Sequence, residues 1–129
     1  MDHKLVFPTY DEIHEKAVKL AELIKNKNIN FTKMVVVSRG GFVPASVVAY
    51  CLGIQDVDIV SIQSYIHREP GQAYVHRAPK TDEVVLVIDD IVDKGGTAKA
   101  LREFMPNMHL AVIYALSLIH IWRCRRVGV

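Results

Sequence analysis

Hydrophobic and polar residues follow two different patterns along this chain, and the first has the periodicity of a helix. Between residues 9 and 27, apolar side chains recur every three or four positions, at Ile13, Ala17, Leu20, Ala21 and Ile24. Thr9 and Glu12 precede this stripe with the spacing of a capping box, in which each side chain bonds the backbone N–H of the other residue. The pattern predicts an amphipathic helix that lies with one face on a sheet.

The second pattern consists of short unbroken apolar runs, which are typical of strands buried on both faces. Four runs are predicted as strands, at residues 34–37, 58–64, 84–88 and 110–116, although polar residues interrupt the second of them. A helix is predicted over residues 43–52, because Pro44 suits its first turn and Gly53 its C-terminal end. Residues 65–82 contain two prolines and a glycine among polar residues and predict a long mobile loop or a hairpin. Strands that alternate with helices indicate an α/β fold with a parallel sheet.

Residues that could bind a ligand are concentrated where the third apolar run ends. Asp89 and Asp90 follow it, at the edge where open α/β sheets bind their ligands. Gly95 and Gly96 let the backbone approach a bound group, and Thr97 is a suitable N-cap for a helix that runs on to Met105. A helix N-terminus attracts anions, and two carboxylates beside it suit ribose hydroxyls or a magnesium ion. The segment therefore predicts a site for a phosphorylated sugar, with an ordinary strand–turn–helix and acidic turn residues as the alternative.

A second candidate site follows the first predicted strand. Ser38, Arg39, Gly40 and Gly41 would present a guanidinium and backbone N–H groups at the same edge of the sheet. Arginine donates in a planar fork and glycine allows close approach, a combination that suits pyrophosphate. The alternative is a tight turn with a surface arginine.

Composition and charge narrow the class of protein. With 129 residues, half of them hydrophobic and 23% charged, the chain suits one globular domain. The formal net charge is +2, but without the three arginines of residues 118–129, a stretch that holds no acid, the remainder carries −1. No nucleic-acid partner is therefore expected. No secretion signal or membrane span is expected either, and two cysteines suit a reducing, cytoplasmic location.

Residues 89–97, DDIVDKGGT, resemble the phosphoribosyl-pyrophosphate (PRPP) signature of the type I phosphoribosyltransferases. That signature has two acids, two apolar residues, then Asp, a variable residue, Gly, a variable residue and Thr. The stretch VSRGGFVPASVVAYCLGI, followed by VDIVSIQSY, is similar to bacterial xanthine–guanine phosphoribosyltransferases. The resemblance implies a Rossmann-like parallel-sheet core that binds PRPP and a purine base. It also implies Mg²⁺ as cofactor and a homo-oligomer, either dimer or tetramer.

The resemblance also implies roles for single residues. The PRPP- and nucleotide-binding residues would be Arg39, Gly40, Arg77, Asp89, Asp90, Ile91, Val92, Asp93, Lys94, Gly95, Gly96 and Thr97. Arg39, Gly40 and Arg77 would bind pyrophosphate, with Arg77 on or near the mobile loop. Asp89 and Asp90 would hold the ribose hydroxyls and magnesium, with Asp90 at the metal position. Asp93 would be the catalytic residue near N7 of the purine, and residues 94–97 would wrap the 5′-phosphate.

The implied reaction transfers phosphoribosyl from PRPP to guanine, xanthine or hypoxanthine and releases pyrophosphate, as in purine salvage. A PRPP-binding regulator and a truncated, catalytically impaired homologue are the alternatives. Two positions depart from the family: Lys94 replaces a small hydroxyl residue, and Leu116 stands where relatives place a purine-contacting lysine.

The end of the chain also departs from the family, whose purine-binding hood is expected to be missing or altered here. The sequence divides into a core, residues 1–116, and an atypical basic tail, residues 117–129, with Trp122 and three arginines. We interpret the tail as out-of-frame or adapter-derived sequence on a truncated gene. A natural basic tail that touches membrane lipid and a divergent hood are the alternatives.

Overall fold

Three helices and five strands make up the part of the chain that the computed structural model describes, residues 8–64, 73–92 and 96–115. In chain order they are α1 (Tyr10–Asn26), β1 (Lys33–Ser38), α2 (Phe42–Leu52), β2 (Asp56–Ser64), β3 (Ala73–Arg77), β4 (Leu86–Val92), α3 (Gly96–Arg102) and β5 (His109–Ala115).

The strands form one sheet in the order β3-β2-β1-β4-β5. β1 pairs in parallel with β2 and β4, and β4 pairs in parallel with β5. This arrangement confirms the predicted α/β fold with a parallel sheet. Strand β3 runs antiparallel to β2 at one edge, so the hairpin alternative was correct for residues 73–77. Residues 65–72 lie outside the described part.

Helix α1 forms where the apolar stripe predicted it. The Thr9 hydroxyl accepts a hydrogen bond from the Glu12 backbone N–H at 3.1 Å and caps the first turn. Ala17, Leu20, Ala21 and Ile24 are all buried. Helix α2 ends as predicted at Gly53, whose φ of 69° is the left-handed conformation that favours glycine.

Two apolar layers cover the sheet, one on each face. Alternate residues of β1 divide between them: Met34 and Val36 pack with α1 and α2, while Val35 and Val37 pack on the face that holds α3. Strand β4 alternates in the same way, with Ile88 toward α1 and α2 and Val87 toward the α3 face. This alternation fixes the face toward which each later residue of β4 points.

The boundaries of two predicted elements were wrong. The strand that carries the acids runs from Leu86 to Val92 rather than over residues 84–88, and Val84 is exposed. Asp89 and Asp90 therefore lie inside β4 and not after it, because pairing with β5 continues past them. Helix α3 begins at Gly96 and ends at Arg102, so Thr97 is a helical residue rather than the N-cap, and the helix stops before Met105.

Leu116 and the predicted tail, residues 117–129, lie outside the described residues, so the expectation that the hood is missing or altered stays a prediction. The division between residues 1–116 and residues 117–129 stays a prediction. No helix within the described ranges is both long and apolar enough to cross a membrane.

Candidate active site

The turn after β1 folds back tightly onto its own strand. The Gly41 N–H donates to the Val37 carbonyl at 2.8 Å, and the Phe42 N–H donates to the Arg39 carbonyl at 3.2 Å. A Cβ on Gly41 would lie 2.5 Å from the Ile88 carbonyl oxygen, so only glycine fits between β1 and β4. The peptide bond between Ser38 and Arg39 is cis. The turn leaves Arg39 exposed at the carboxyl edge of the sheet.

Gly40 and Asp90 bring the two predicted sites into contact. A Cβ on Gly40 would overlap the Asp90 carboxyl group, which therefore lies directly against the glycine backbone. The strand register explains this approach: Val36 pairs with Ile88, and two residues further along both strands Ser38 is level with Asp90. The pyrophosphate and sugar-phosphate sites that the sequence predicted separately thus share one edge.

The two adjacent carboxyl groups have different environments. Asp90 points to the same face as Ile88, toward α2, whereas Asp89 points to the α3 face and is 8% exposed. The pKa of Asp89 is raised from 3.8 to about 8, mainly by burial and to a lesser degree by a side-chain hydrogen bond with Asp90 and by the charge of that neighbour. The Asp90 N–H donates to Asp89 Oδ1 at 2.8 Å and opposes this shift without cancelling it. The raised pKa favours the protonated form of Asp89 at neutral pH.

Arg77 lies level with Ser38 across the sheet, on the strand at its edge. Ser38 pairs with Ser61 on β2, and Ser61 pairs with Arg77 on β3. Two strand spacings, about 10 Å, therefore separate the Arg77 backbone from Ser38. A bulge lets His76 and Arg77 together oppose Ser61, and bulges of this kind re-aim side chains at functional edges.

The bulged residue His76 contacts a residue of β2 and a residue of its own strand. Its Nε2 lies 3.2 Å from Oε1 of Gln63, and its ring packs edge-on against Tyr74 at a centroid distance of 4.7 Å. Sequence reasoning missed the contact between His76 and Gln63, because a bulge has no reliable local signal and the two residues are 13 positions apart.

The remaining signature residues fall partly outside the described chain. Asp93, Lys94 and Gly95 lie outside it, so their predicted roles stay predictions. Ile91 is exposed and pairs with Tyr114 of β5, to which the sequence analysis assigned no role in the site. Val92 is the last residue of β4. Gly96 and Thr97 open α3 and are half-buried.

The described residues of this site offer few protein ligands for a metal ion. Within the described ranges, no group of three or more histidine, cysteine or acidic side chains is close enough to bind a metal. Asp89 and Asp90 offer oxygen ligands, which Mg²⁺ prefers, and Mg²⁺ commonly binds one or two carboxylates together with substrate phosphates. The donor set therefore fits Mg²⁺ that arrives with a phosphorylated ligand.

Comparison with known families agrees with this geometry. The family described as "Phosphoribosyl transferase domain" matches residues 9–121. The chain belongs to this family. The xanthine-guanine phosphoribosyltransferase of Nitratidesulfovibrio vulgaris (strain DP4) is 38% identical over 118 residues, covering 88% of this chain and 71% of the relative. These matches confirm the resemblance that the signature indicated.

Solved structures share the phosphoribosyltransferase fold. A hypothetical protein from Neisseria gonorrhoeae, solved with bound ppGpp, superposes with a TM-score of 0.71 at 25% identity, covering 88% of this chain and 74% of that one. A purine phosphoribosyltransferase from Pyrococcus horikoshii superposes with a TM-score of 0.67 at 19% identity, covering 86% and 85%. The second likeness supports the fold alone and confirms the predicted fold class.

Proposed function

We propose that this phosphoribosyltransferase transfers the phosphoribosyl group of PRPP to guanine, xanthine or hypoxanthine, as a purine-salvage enzyme of the cytoplasm. In this reaction the bond from C1′ to pyrophosphate breaks with its electron pair leaving on pyrophosphate. A bond from C1′ to a purine nitrogen forms, and the proton of that nitrogen is released. The name of the 38% identical relative supports these bases. The neighbour solved with ppGpp, a guanine nucleotide, agrees with the same choice.

The contact between Gly40 and Asp90 is the observation that carries this proposal. PRPP bears a pyrophosphate on the carbon next to its ribose hydroxyls, so its two binding groups must lie side by side. A glycine backbone pressed against a carboxyl group provides that proximity. Two unrelated turns at separate edges would not.

Charge neutralisation is the chemical task on the pyrophosphate side. The departing group gains negative charge as the C1′–O bond breaks, and preorganised cations stabilise that charge. Arg39 would bind it from the turn after β1, and Arg77 from the bulge of β3 in the same row of the sheet. Both guanidinium groups can donate in a planar fork.

On the sugar side, Asp89 and Asp90 would accept hydrogen bonds from the ribose hydroxyls. Asp90 would also contact Mg²⁺, which when bound would neutralise the phosphate charge of PRPP. A cation or a hydroxyl donor near the pair would lower the pKa of Asp89 from its raised value. Binding would therefore release a proton near neutral pH.

The roles outside the described residues follow the family signature. Asp93 would lie near N7 of the purine and manage its proton, and residues 94–97 would surround the 5′-phosphate. Because α3 follows this loop, backbone N–H groups at the start of that helix would be available to the phosphate.

A product assay tests the proposal directly. Purified chain is incubated with PRPP, Mg²⁺ and each of guanine, xanthine, hypoxanthine and adenine, and the nucleotide and pyrophosphate formed are measured. We expect products with the three oxopurines and at least 10-fold less with adenine. Asp90→Asn should reduce turnover at least 100-fold.

Asp58→Asn is the matched control, because it also neutralises an aspartate but lies at an ion pair with Lys33 away from the carboxyl edge. Its turnover should stay within about twofold of the parent. A folded parent chain that forms no product with any base would contradict the proposed reaction.

A further inference from the structure

Helix α1 brings its first turns to the edge of the sheet that holds the candidate active site. A short connection, residues 27–32, joins its last turn to the start of β1, so α1 ends at the amino edge and runs opposite to the strands. Its N-terminal half therefore lies toward the carboxyl edge, where Asp90 meets Gly40. The contact of Lys16, in its second turn, with Tyr114 near the end of β5 agrees with this direction.

The Lys16 side chain is held over an aromatic ring at this edge. Its Nζ lies 5.2 Å from the centroid of the Tyr114 ring, within the range of about 6 Å for a cation–π interaction. The Tyr114 hydroxyl is buried, which anchors the far end of the ring. Lys16 itself is exposed, so its N–H groups are accessible to a ligand.

Lys16 is also unpaired with acids. Glu12 precedes it by four residues, the spacing and order that favour a Glu–Lys pair on a helix. Among the residues that the structure describes, however, the ion pair joins Lys33 to Asp58, and Lys16 contacts the ring instead. Its ammonium group therefore keeps its donors for another partner.

The strand order indicates where the base would bind, a step that rests on the proposed function. The order β3-β2-β1-β4-β5 puts Arg39 and Arg77, proposed for pyrophosphate, on one side of β4. Displacement at a sugar carbon brings the incoming group to the side opposite the leaving group. With the ribose at Asp89 and Asp90 of β4, the base would therefore lie on the other side, toward β5.

Tyr114 and Lys16 both lie on that side. Tyr114 pairs with Ile91, the residue after Asp90, so one strand spacing, about 4.8 Å, separates the backbones of the pair. Lys16 reaches the Tyr114 ring from α1, next to the edge strand. An exposed cation is thus held on the base side of the site.

We propose that Lys16 donates a hydrogen bond to the oxygen at C6 of the purine and so selects oxopurines over adenine. Guanine, xanthine and hypoxanthine share this oxygen. An ammonium group has three donors and no acceptor, so it can bond an oxygen but not the amino group that adenine carries at C6. Opposed donors disfavour the wrong base, which is how specificity arises from repulsion as well as attraction. Tyr114 is the positioning residue, because its ring holds the ammonium group.

Calorimetric titration of two nucleotides tests the proposal without turnover. Inosine 5′-monophosphate and adenosine 5′-monophosphate have the same ribose and phosphate and differ at the C6 edge of the base. We expect the parent chain to bind the inosine nucleotide at least 10-fold more tightly. Lys16→Met should reduce the affinity for the inosine nucleotide at least 10-fold and change the affinity for the adenosine nucleotide less than twofold.

Lys19→Met is the matched control, because it removes the same charge from an exposed position about one turn further along α1. It should bind both nucleotides as the parent does. Lys16→Gln is the second variant if circular dichroism shows that Lys16→Met does not fold. Glutamine both donates and accepts, so this variant should bind the two nucleotides with affinities within about threefold of each other.

Three results would overturn the proposal. The first is a folded Lys16 variant with the nucleotide preference of the parent. The second is an equal loss for both nucleotides, or an equal loss in Lys16→Met and Lys19→Met, since either would show attraction of the phosphate by charge. The third is a folded parent that binds neither nucleotide or binds both equally.

The role of Lys16 and the proposed reaction can fail separately. A parent that forms no product from PRPP, but shows a nucleotide preference that depends on Lys16, would refute the reaction and support the role. A parent that forms product with hypoxanthine, with the nucleotide preference unchanged in Lys16→Met, would keep the reaction and overturn the role.

Discussion

The Asp90 carboxyl group lies against the backbone of Gly40, with no room for a β-carbon between them. The two residues are 50 positions apart in the sequence and meet because β1 and β4 are neighbours in the sheet. Through this contact the turn after β1 and the acids of β4 become one site.

Gly40→Ala should impair both stability and binding. The added methyl group must displace the Asp90 carboxyl, so we expect a loss of about 1–3 kcal/mol in the free energy of unfolding, as for other overpacked sites. The affinity for PRPP with Mg²⁺ should fall at least 10-fold. Urea denaturation and calorimetric titration measure the two effects.

Gly53→Ala is the control that separates the effect of Gly40→Ala on stability from its effect on PRPP binding. Gly53 has open space around its α-carbon and a φ of 69°, so alanine there should cost about 1 kcal/mol through backbone strain alone. PRPP affinity should be unchanged. If Gly40→Ala bound PRPP as tightly as Gly53→Ala does, the contact with Asp90 would have no role in the site.

Asp89→Asn should change how stability depends on pH. The pKa of Asp89 is 3.8 in the unfolded chain and about 8 in the folded one, so the folded state keeps a proton that the unfolded state has lost. Raising the pH from 5 to 8 therefore favours unfolding of the parent, by roughly 3 kcal/mol from this group. Asparagine has no proton to lose and removes this contribution.

Urea denaturation of both proteins at pH 5 and pH 8 provides the measurement. The stability of Asp89→Asn relative to the parent should rise by roughly 3 kcal/mol between the two values, since contributions from other groups cancel in the difference. A relative stability that is the same at both pH values would show that Asp89 is not held neutral by burial.

Arg77→Met should weaken pyrophosphate binding. The substitution removes the guanidinium from the row that joins Ser38, Ser61 and Arg77, and we expect about a 10-fold loss, equivalent to about 1.4 kcal/mol. Lys80→Met removes a cation from an exposed position three residues further on and should change affinity less than twofold. Equal effects from both substitutions would point to general charge rather than to a contact by Arg77.

Sequence patterns predicted the elements whose signals are local. The apolar stripe and Thr9 specify α1, and Gly53 specifies the end of α2, because each depends on residues within one or two turns. The sequence pattern placed Asp89 and Asp90 after the strand, since charged residues usually end a strand. Here pairing of Asp89 with Val112 extends β4 across them.

These patterns do not predict which helices and strands contact one another. The contact of Gly40 with Asp90, the bulge at His76 and the uncovered side of β2 all depend on which strands are neighbours. Val57 and Ile59 illustrate this limit. Their apolar character predicts burial, and only the position of α2 over β1 and β4 shows that no helix covers them.

Calorimetric titration of PRPP with Mg²⁺ into the parent chain and into Asp90→Asn measures whether Gly40 and Asp90 form a PRPP site. We expect micromolar binding to the parent, about −8 kcal/mol, with no measurable binding to the variant. Absence of binding to a parent chain that circular dichroism shows to be folded would contradict the claim that Gly40 and Asp90 form a PRPP site.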